Sequence, residues 1–151
     1  MKCKNLPVVM CIGTDSVSGD CLGPLVGQLL VSRGLPAYVY GTLIRPITAL
    51  NLTEYYSFIK HKHTSTVIAV DSCVGKNVGN IYVSHGGLKP GAASGKNLPW
   101  VGDISVTAVT TCYPPSDKRF ASVRLGFVYS LAESVAVRVE ELVKSNNAQK
   151  H

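Results

Sequence analysis

The apolar run Leu6-Pro7-Val8-Val9-Met10-Cys11-Ile12 breaks directly into Gly13-Thr14-Asp15-Ser16-Val17-Ser18-Gly19-Asp20, and Leu22-Gly23-Pro24-Leu25 then resumes an apolar pattern. This junction constrains the fold more than any other stretch. A strand that is apolar throughout has no solvated face, so it belongs in the middle of a sheet covered on both sides. Such a strand, followed by a polar glycine-containing loop and then a helix, is the building unit of open α/β folds. In those sheets the ligand crevice lies beyond the carboxyl ends of the strands, where loops carry the polar groups. A second unit, Val67-Ile68-Ala69-Val70-Asp71, ends in the same way.

The rest of the chain continues the alternation. A helix is expected over 22–34, with Pro24 in its first turn, Asp20 as N-cap and Gly34 as its stop. If Asp20 caps it, the positive end of the helix dipole favours its ionised form. A short strand over 38–41 precedes a helix over 48–62, where Leu52, Tyr55, Tyr56 and Ile59 recur at helical spacing and form a packing face. His61 and His63 read as solvated residues at the end of that helix, because positions two apart do not share a helix face. Residues 66–71 form the second central strand. Residues 79–85 form a shorter one with partial alternation, suited to an edge and to antiparallel pairing. The 86–102 segment is too long for a plain connector, which points to a lid or binding loop. A strand over 103–112 ends at Pro114-Pro115. A final helix starts at about 116 or 122 and runs to 144, with Val128, Leu131, Val135, Val139 and Leu142 as its buried stripe. Residues 145–151 read as a polar, frayed tail. The expectation is one domain, a three-layer α/β/α sandwich with a mostly parallel mixed sheet.

Composition narrows the function. At 151 residues, 46% hydrophobic and only 16% charged, the chain suits a compact core. Its net charge of +6 comes from scattered basic residues, with no basic run interleaved with aromatics, so specific nucleic-acid binding is not expected. Five cysteines (Cys3, Cys11, Cys21, Cys73, Cys112) form no CxxC pair and no zinc spacing. Cys21 and Cys73 lie next to or near loop aspartates, but no histidine is paired with either, so packing is favoured over a thiolate nucleophile. No signal-peptide pattern precedes the first strand and no apolar stretch is long enough to span a bilayer, which points to the cytoplasm.

Only nine carboxylates exist in the chain, and the four glutamates (Glu54, Glu133, Glu140, Glu141) fall on the later helices. Asp15, Asp20 and Asp71 instead collect where the first two central strands give way to loops. Carboxylates that share a desolvated site cannot all ionise, so one proton is retained and the pair can work as acid and base. The same groups could hold a divalent metal, with His85 supplying a nitrogen ligand. They could also be structural, since loop aspartates often cap helices or satisfy backbone amides. Neither a P-loop nor a dinucleotide fingerprint is present. Ser94 lacks the strand-to-helix elbow of serine hydrolases, which excludes a serine mechanism.

The block Gly13-Thr14-Asp15-Ser16-Val17-Ser18-Gly19-Asp20-Cys21-Leu22-Gly23-Pro24, with Ala69-Val70-Asp71 and Gly87-Leu88-Lys89-Pro90-Gly91, resembles the YyaC-type sporulation proteins. These are related to the germination protease of spore-forming bacteria, which degrades small acid-soluble DNA-binding proteins. The resemblance runs from the first strand to the last helix. It implies the phosphorylase/hydrolase-like fold of the hydrogenase-maturation endopeptidases. It also implies a peptide hydrolase of the spore or sporulating cell, with Asp20 and Asp71 catalytic and Asp15 and His85 auxiliary. Gly87, Lys89, Pro90 and Gly91 would hold a protein or peptide substrate, such as a basic or small spore protein. This chain is shorter than the protease, with Asp15 and Gly19 where that pattern has Trp and Pro, and His85 where it has an acidic residue. The maturation enzymes carry a metal-ligating histidine at a similar place. Two alternatives therefore stand beside a cofactor-free dyad: a metal-dependent endopeptidase using Asp20, Asp71 and His85, and a non-catalytic sporulation protein that binds a peptide or protein partner.

Overall fold

A computed structural model describes residues 5–91 and 97–149. Ser94 and the middle of the 86–102 loop lie outside the described residues. The chain forms β1 (Val8–Cys11), a 3-10 turn (Ser18–Asp20), α1 (Leu22–Ser32), β2 (Tyr38–Tyr40), α2 (Leu52–Lys62), β3 (Val67–Val74), β4 (Ile81–His85), β5 (Ile104–Thr111), α3 (Lys118–Ala121) and α4 (Leu125–Ala148). The strands make one sheet in the order β2-β1-β3-β5-β4, parallel except for β4, which runs antiparallel to β5 at the edge.

Alternate residues of the central strands feed two cores, as the two-residue strand period requires. Val9, Cys11, Ile68, Val70, Val106 and Ala108 pack with α1 and α4 on one face. Val8, Met10, Val67 and Ala69 pack on the other face with Leu52 and Ile59 of α2 and with Leu88 and Val101. This is the expected three-layer sandwich with a mostly parallel sheet. Leu88 and Val101 exchange backbone hydrogen bonds of 2.9 Å each way, so the long loop is pinched shut at its base.

Three local expectations are corrected. The last helix continues past 144 to Ala148, because Val143 is buried and the Asn146 amide donates to Thr66 Oγ1 at 3.2 Å. His63 is not a solvated end residue: it is half-buried, 2.8 Å from the Tyr40 hydroxyl through Nε2 and packed against the Tyr38 ring at a tilt of 43°. The second central strand does not end at Asp71 but runs to Val74, because β5 pairs with it from Ile68 through Val74. Among the described residues no helix is long and apolar enough to cross a membrane.

Candidate active site

The site exists because two neighbouring strands differ in length. β1 pairs with Val67 through Val70 and stops, while β3 runs on alongside β5. The chain leaves β1 toward β2 on one side and returns to β3 on the other, so β1/β3 is the topological switch point, where open α/β sheets place their ligand crevice. At the end of β1 the backbone turns through Gly13 with φ +148°, where any Cβ would collide with the Asp20 carbonyl oxygen. That carbonyl accepts from Thr14 N–H at 3.0 Å, which closes the loop on itself. At Gly23 a Cβ would run into the Ile12 carbonyl, so α1 lies directly on the end of β1. From the far side, Thr110 Oγ1 donates to the Gly19 carbonyl at 2.8 Å and Ser18 Oγ donates to the Ala121 carbonyl at 3.0 Å.

These contacts correct the reading of Asp20 as a helix cap. Cys21 is the N-cap of α1, and no side chain caps that end. Asp20 closes the 3-10 turn instead, half-buried, and its Oδ1 accepts from Ser72 Oγ at 3.3 Å. Asp71 is 8% exposed, and its Oδ1 accepts from the Ser72 backbone N–H at 2.8 Å. Ser72 thus touches both carboxylates. Burial first, and the charge of Asp20 second, hold the Asp71 carboxyl well above the ordinary carboxylate range, against the lowering effect of the Ser72 N–H. An acid so placed keeps its proton where an exposed aspartate has lost it.

Both carboxylates line a cavity of about 570 Å³, within the range of small-ligand sites. Ser72, Cys73 and Thr107 add polar atoms, while Ile12, Val74, Leu88, Leu98 and Phe120 make much of the wall apolar. The α3 side of this wall is held by Asp117, which caps α3 through the Arg119 N–H and pairs with the Arg119 guanidinium at 2.6 Å. Burial pushes the Cys73 thiol up, partly offset by a hydrogen bond with Thr107 and reinforced by Asp71. Burial, Asp15 and Asp20 push Cys21 up as well. Thiols held protonated in this way are poor nucleophiles.

Of the residues singled out in the sequence, Asp20 and Asp71 are brought together, and Lys89, Pro90 and Gly91 line the same cavity. Gly87 does not line it; it packs against the Val101 and Gly102 carbonyls at the pinch of the loop. Asp15 lies on the exposed outside of its loop. His85 is not brought to the pair. Asp71 is level with Thr107 and Tyr82, but β4 runs antiparallel, so His85 lies three positions further on, opposite Ile104 and exposed. That is about 10 Å along the strand, toward the amino end of the sheet. The metal trio is therefore not assembled, and among the described residues no group of three His, Cys, Asp or Glu is arranged to hold an ion. Asp103 also lies at that far edge, where its Oδ2 accepts from Val67 N–H at 2.8 Å. Sequence reasoning missed Ser72, whose hydroxyl next to Asp71 was the available signal, and Thr107 and Phe120, for which no sequence signal existed.

A family model described as "Protein of unknown function (DUF1256)" matches residues 1–138. The "Uncharacterized protein YyaC" of Bacillus subtilis (strain 168) is 46% identical over 106 residues, covering 68% of this chain and 52% of that protein. The matched part of the chain thus spans about half the length of that relative. A hydrogenase 2 maturation peptidase from Thaumarchaeota archaeon SCGC_AB-539-E09 has a similar structure, with a TM-score of 0.57 and 19% identity over 92% of this chain and 98% of that one. So does the NiFe hydrogenase maturation protease HycI from Thermococcus kodakarensis KOD1, with a TM-score of 0.55 and 17% identity over 93% of each chain. At these identities the likeness is one of fold, and the fold is the maturation-protease type.

Proposed function

We propose, for a chain that belongs to the DUF1256 family, that it is a peptide hydrolase in which Asp20 and Asp71 share one proton and activate water against a peptide carbonyl. The observation that carries this reading is the buried Asp71 carboxyl beside Asp20 on the wall of a largely apolar cavity. One ionised member of such a pair can take a proton from water while its protonated partner hydrogen-bonds the carbonyl oxygen. The fold shared with maturation proteases supports a protein or peptide substrate. Lys89, Pro90, Gly91 and Leu98 line the side of the cavity where an extended chain would lie. The resemblance to sporulation proteins supports a cytoplasmic role in the spore or sporulating cell, on a basic or small spore protein.

No step of this chemistry is routed through a metal, because His85, which would complete such a site, lies three positions along β4 from the level of Asp71. The test is hydrolysis of small basic proteins and of a mixed peptide library, followed by mass spectrometry, with wild type, Asp20→Asn and Asp71→Asn. The expected result is cleavage by wild type alone. Full activity in either variant removes the dyad.

A further inference from the structure

We infer that Ser72 is a positioning residue that gives the two carboxylates different tasks, making Asp20 the base and Asp71 the acid. This rests on the peptide-hydrolase reading above. Successive strand side chains point to opposite faces of a sheet, so Asp71 and Ser72 would ordinarily serve different surfaces. Here both serve the pair. The Ser72 backbone N–H donates to Asp71 Oδ1 at 2.8 Å, and the Ser72 hydroxyl donates to Asp20 Oδ1 at 3.3 Å. The backbone bond survives any side-chain change, whereas the hydroxyl bond depends on the identity of this one residue.

A serine hydroxyl has a single proton to give. Directed at Asp20, it favours the ionised form of that carboxyl. Asp71 is the more desolvated of the two and faces the charge of Asp20, so the shared proton belongs on Asp71. Other titratable groups stand around the pair among the described residues. Asp15 and Cys21 stand beside Asp20 on its own loop, and Cys73 follows on β3. Lys89 lines the cavity from the long loop, while the charges of Asp117 and Arg119 on α3 are satisfied by each other and Tyr113 lies under that guanidinium. At 3.3 Å the hydroxyl contact is longer than a charge-assisted bond at rest, as catalytic hydrogen bonds often are before substrate closes the site.

The assignment fixes the direction of each proton. The Asp20 carboxylate takes a proton from water as the water oxygen bonds to the scissile carbonyl carbon, and Asp71 gives its proton to the carbonyl oxygen. The resulting diol collapses when Asp20 returns its proton to the amide nitrogen, the C–N bond breaks, and Asp71 recovers a proton from a diol hydroxyl. One water is consumed, an acid and an amine leave, and both carboxyls end as they began.

The experiment compares wild type, Ser72→Ala and Ser72→Thr in steady-state hydrolysis across pH, with 13C-carboxyl NMR titration of the same three proteins. Ser72→Ala should lower kcat roughly 10- to 100-fold, the scale of one hydrogen bond to a charged group, with KM within about twofold. Its acid limb, and the lower of the pair's two titration steps, should move to higher pH, and Ser72→Thr should restore all three values. If Ser72→Ala keeps the wild-type kcat and pH profile while Asp20→Asn and Asp71→Asn are inactive, the role of Ser72 is overturned and the dyad stands. If no variant or wild type hydrolyses any peptide, the NMR titration decides alone. A shifted lower step upholds the positioning role and an unchanged one overturns it, separately from the fate of the hydrolase reading.

Discussion

At the amino edge of the sheet Asp103 accepts a 2.8 Å hydrogen bond from Val67 N–H, and its own N–H donates back to the Val67 carbonyl at 2.7 Å. Further along the same two strands toward their carboxyl ends, Asp71 has one backbone N–H, little water and a second carboxylate for a neighbour. Residue type and strands are shared, so the difference lies in what surrounds each side chain. Asp103 is exposed and does the work of an extra strand hydrogen bond. Asp71 is held where its charged form is disfavoured, a common condition of groups that act as acids or bases.

The largest contrast should be catalytic. Asp71→Asn and Asp20→Asn should each lower hydrolysis by at least about 10²–10⁴-fold, the usual contribution of a general acid or base, while Asp103→Asn changes kcat less than about twofold in the same assay. A comparable loss in the Asp103 variant would erase the distinction between the two edges.

The next contrast is in stability, and its sign reverses. Asp103→Ala strands the Val67 N–H and should cost about 1 kcal/mol, or about 2–4 °C in Tm for a chain of this length. Asp71→Asn should instead raise Tm at neutral pH. The folded Asp71 binds its proton more tightly than the unfolded chain does, so wild type loses stability as pH rises from about 4 through the folded titration. Asparagine mimics the protonated acid and escapes that loss. Scanning calorimetry of wild type and variant should therefore show a gap that is absent below about pH 4 and widens above it. A gap of the same size at every pH would mean that Asp71 carries no unusual proton affinity.

The smallest effects belong to His85 and to chelators. His85→Ala and treatment with EDTA should each leave hydrolysis within about twofold of the control, because His85 stands about 10 Å along β4 from the level of Asp71. Loss of activity in both would restore the metal-dependent alternative.

The layers, and the meeting of Asp20 with Asp71 at one cavity, were legible because they rest on strong local signals: apolar runs, helical spacing, and aspartates next to those runs. What was not legible depends on partners distant in sequence. Ser72-Cys73-Val74 carries no run of its own, and it is a strand because β5 pairs with it. Asp20 has the sequence of a cap, yet the turn before α1 hands that position to Cys21 and turns Asp20 toward β3. Asn146 looks like tail composition until Thr66, eighty positions earlier, receives its amide. The antiparallel direction of β4 could be read, but which end of the sheet His85 would reach depends on the register with β5.

The notch left where β1 stops and β3 continues has a further meaning. Its place is written as a difference between two strand lengths, a quantity that no single residue encodes. Recess and reactivity are therefore separately inherited: a descendant could lose both carboxylates to point substitutions and keep the hollow intact. Such a chain would still present a shaped pocket, so on the proposed reading the boundary between an enzyme and a binding protein on this scaffold is two side chains wide.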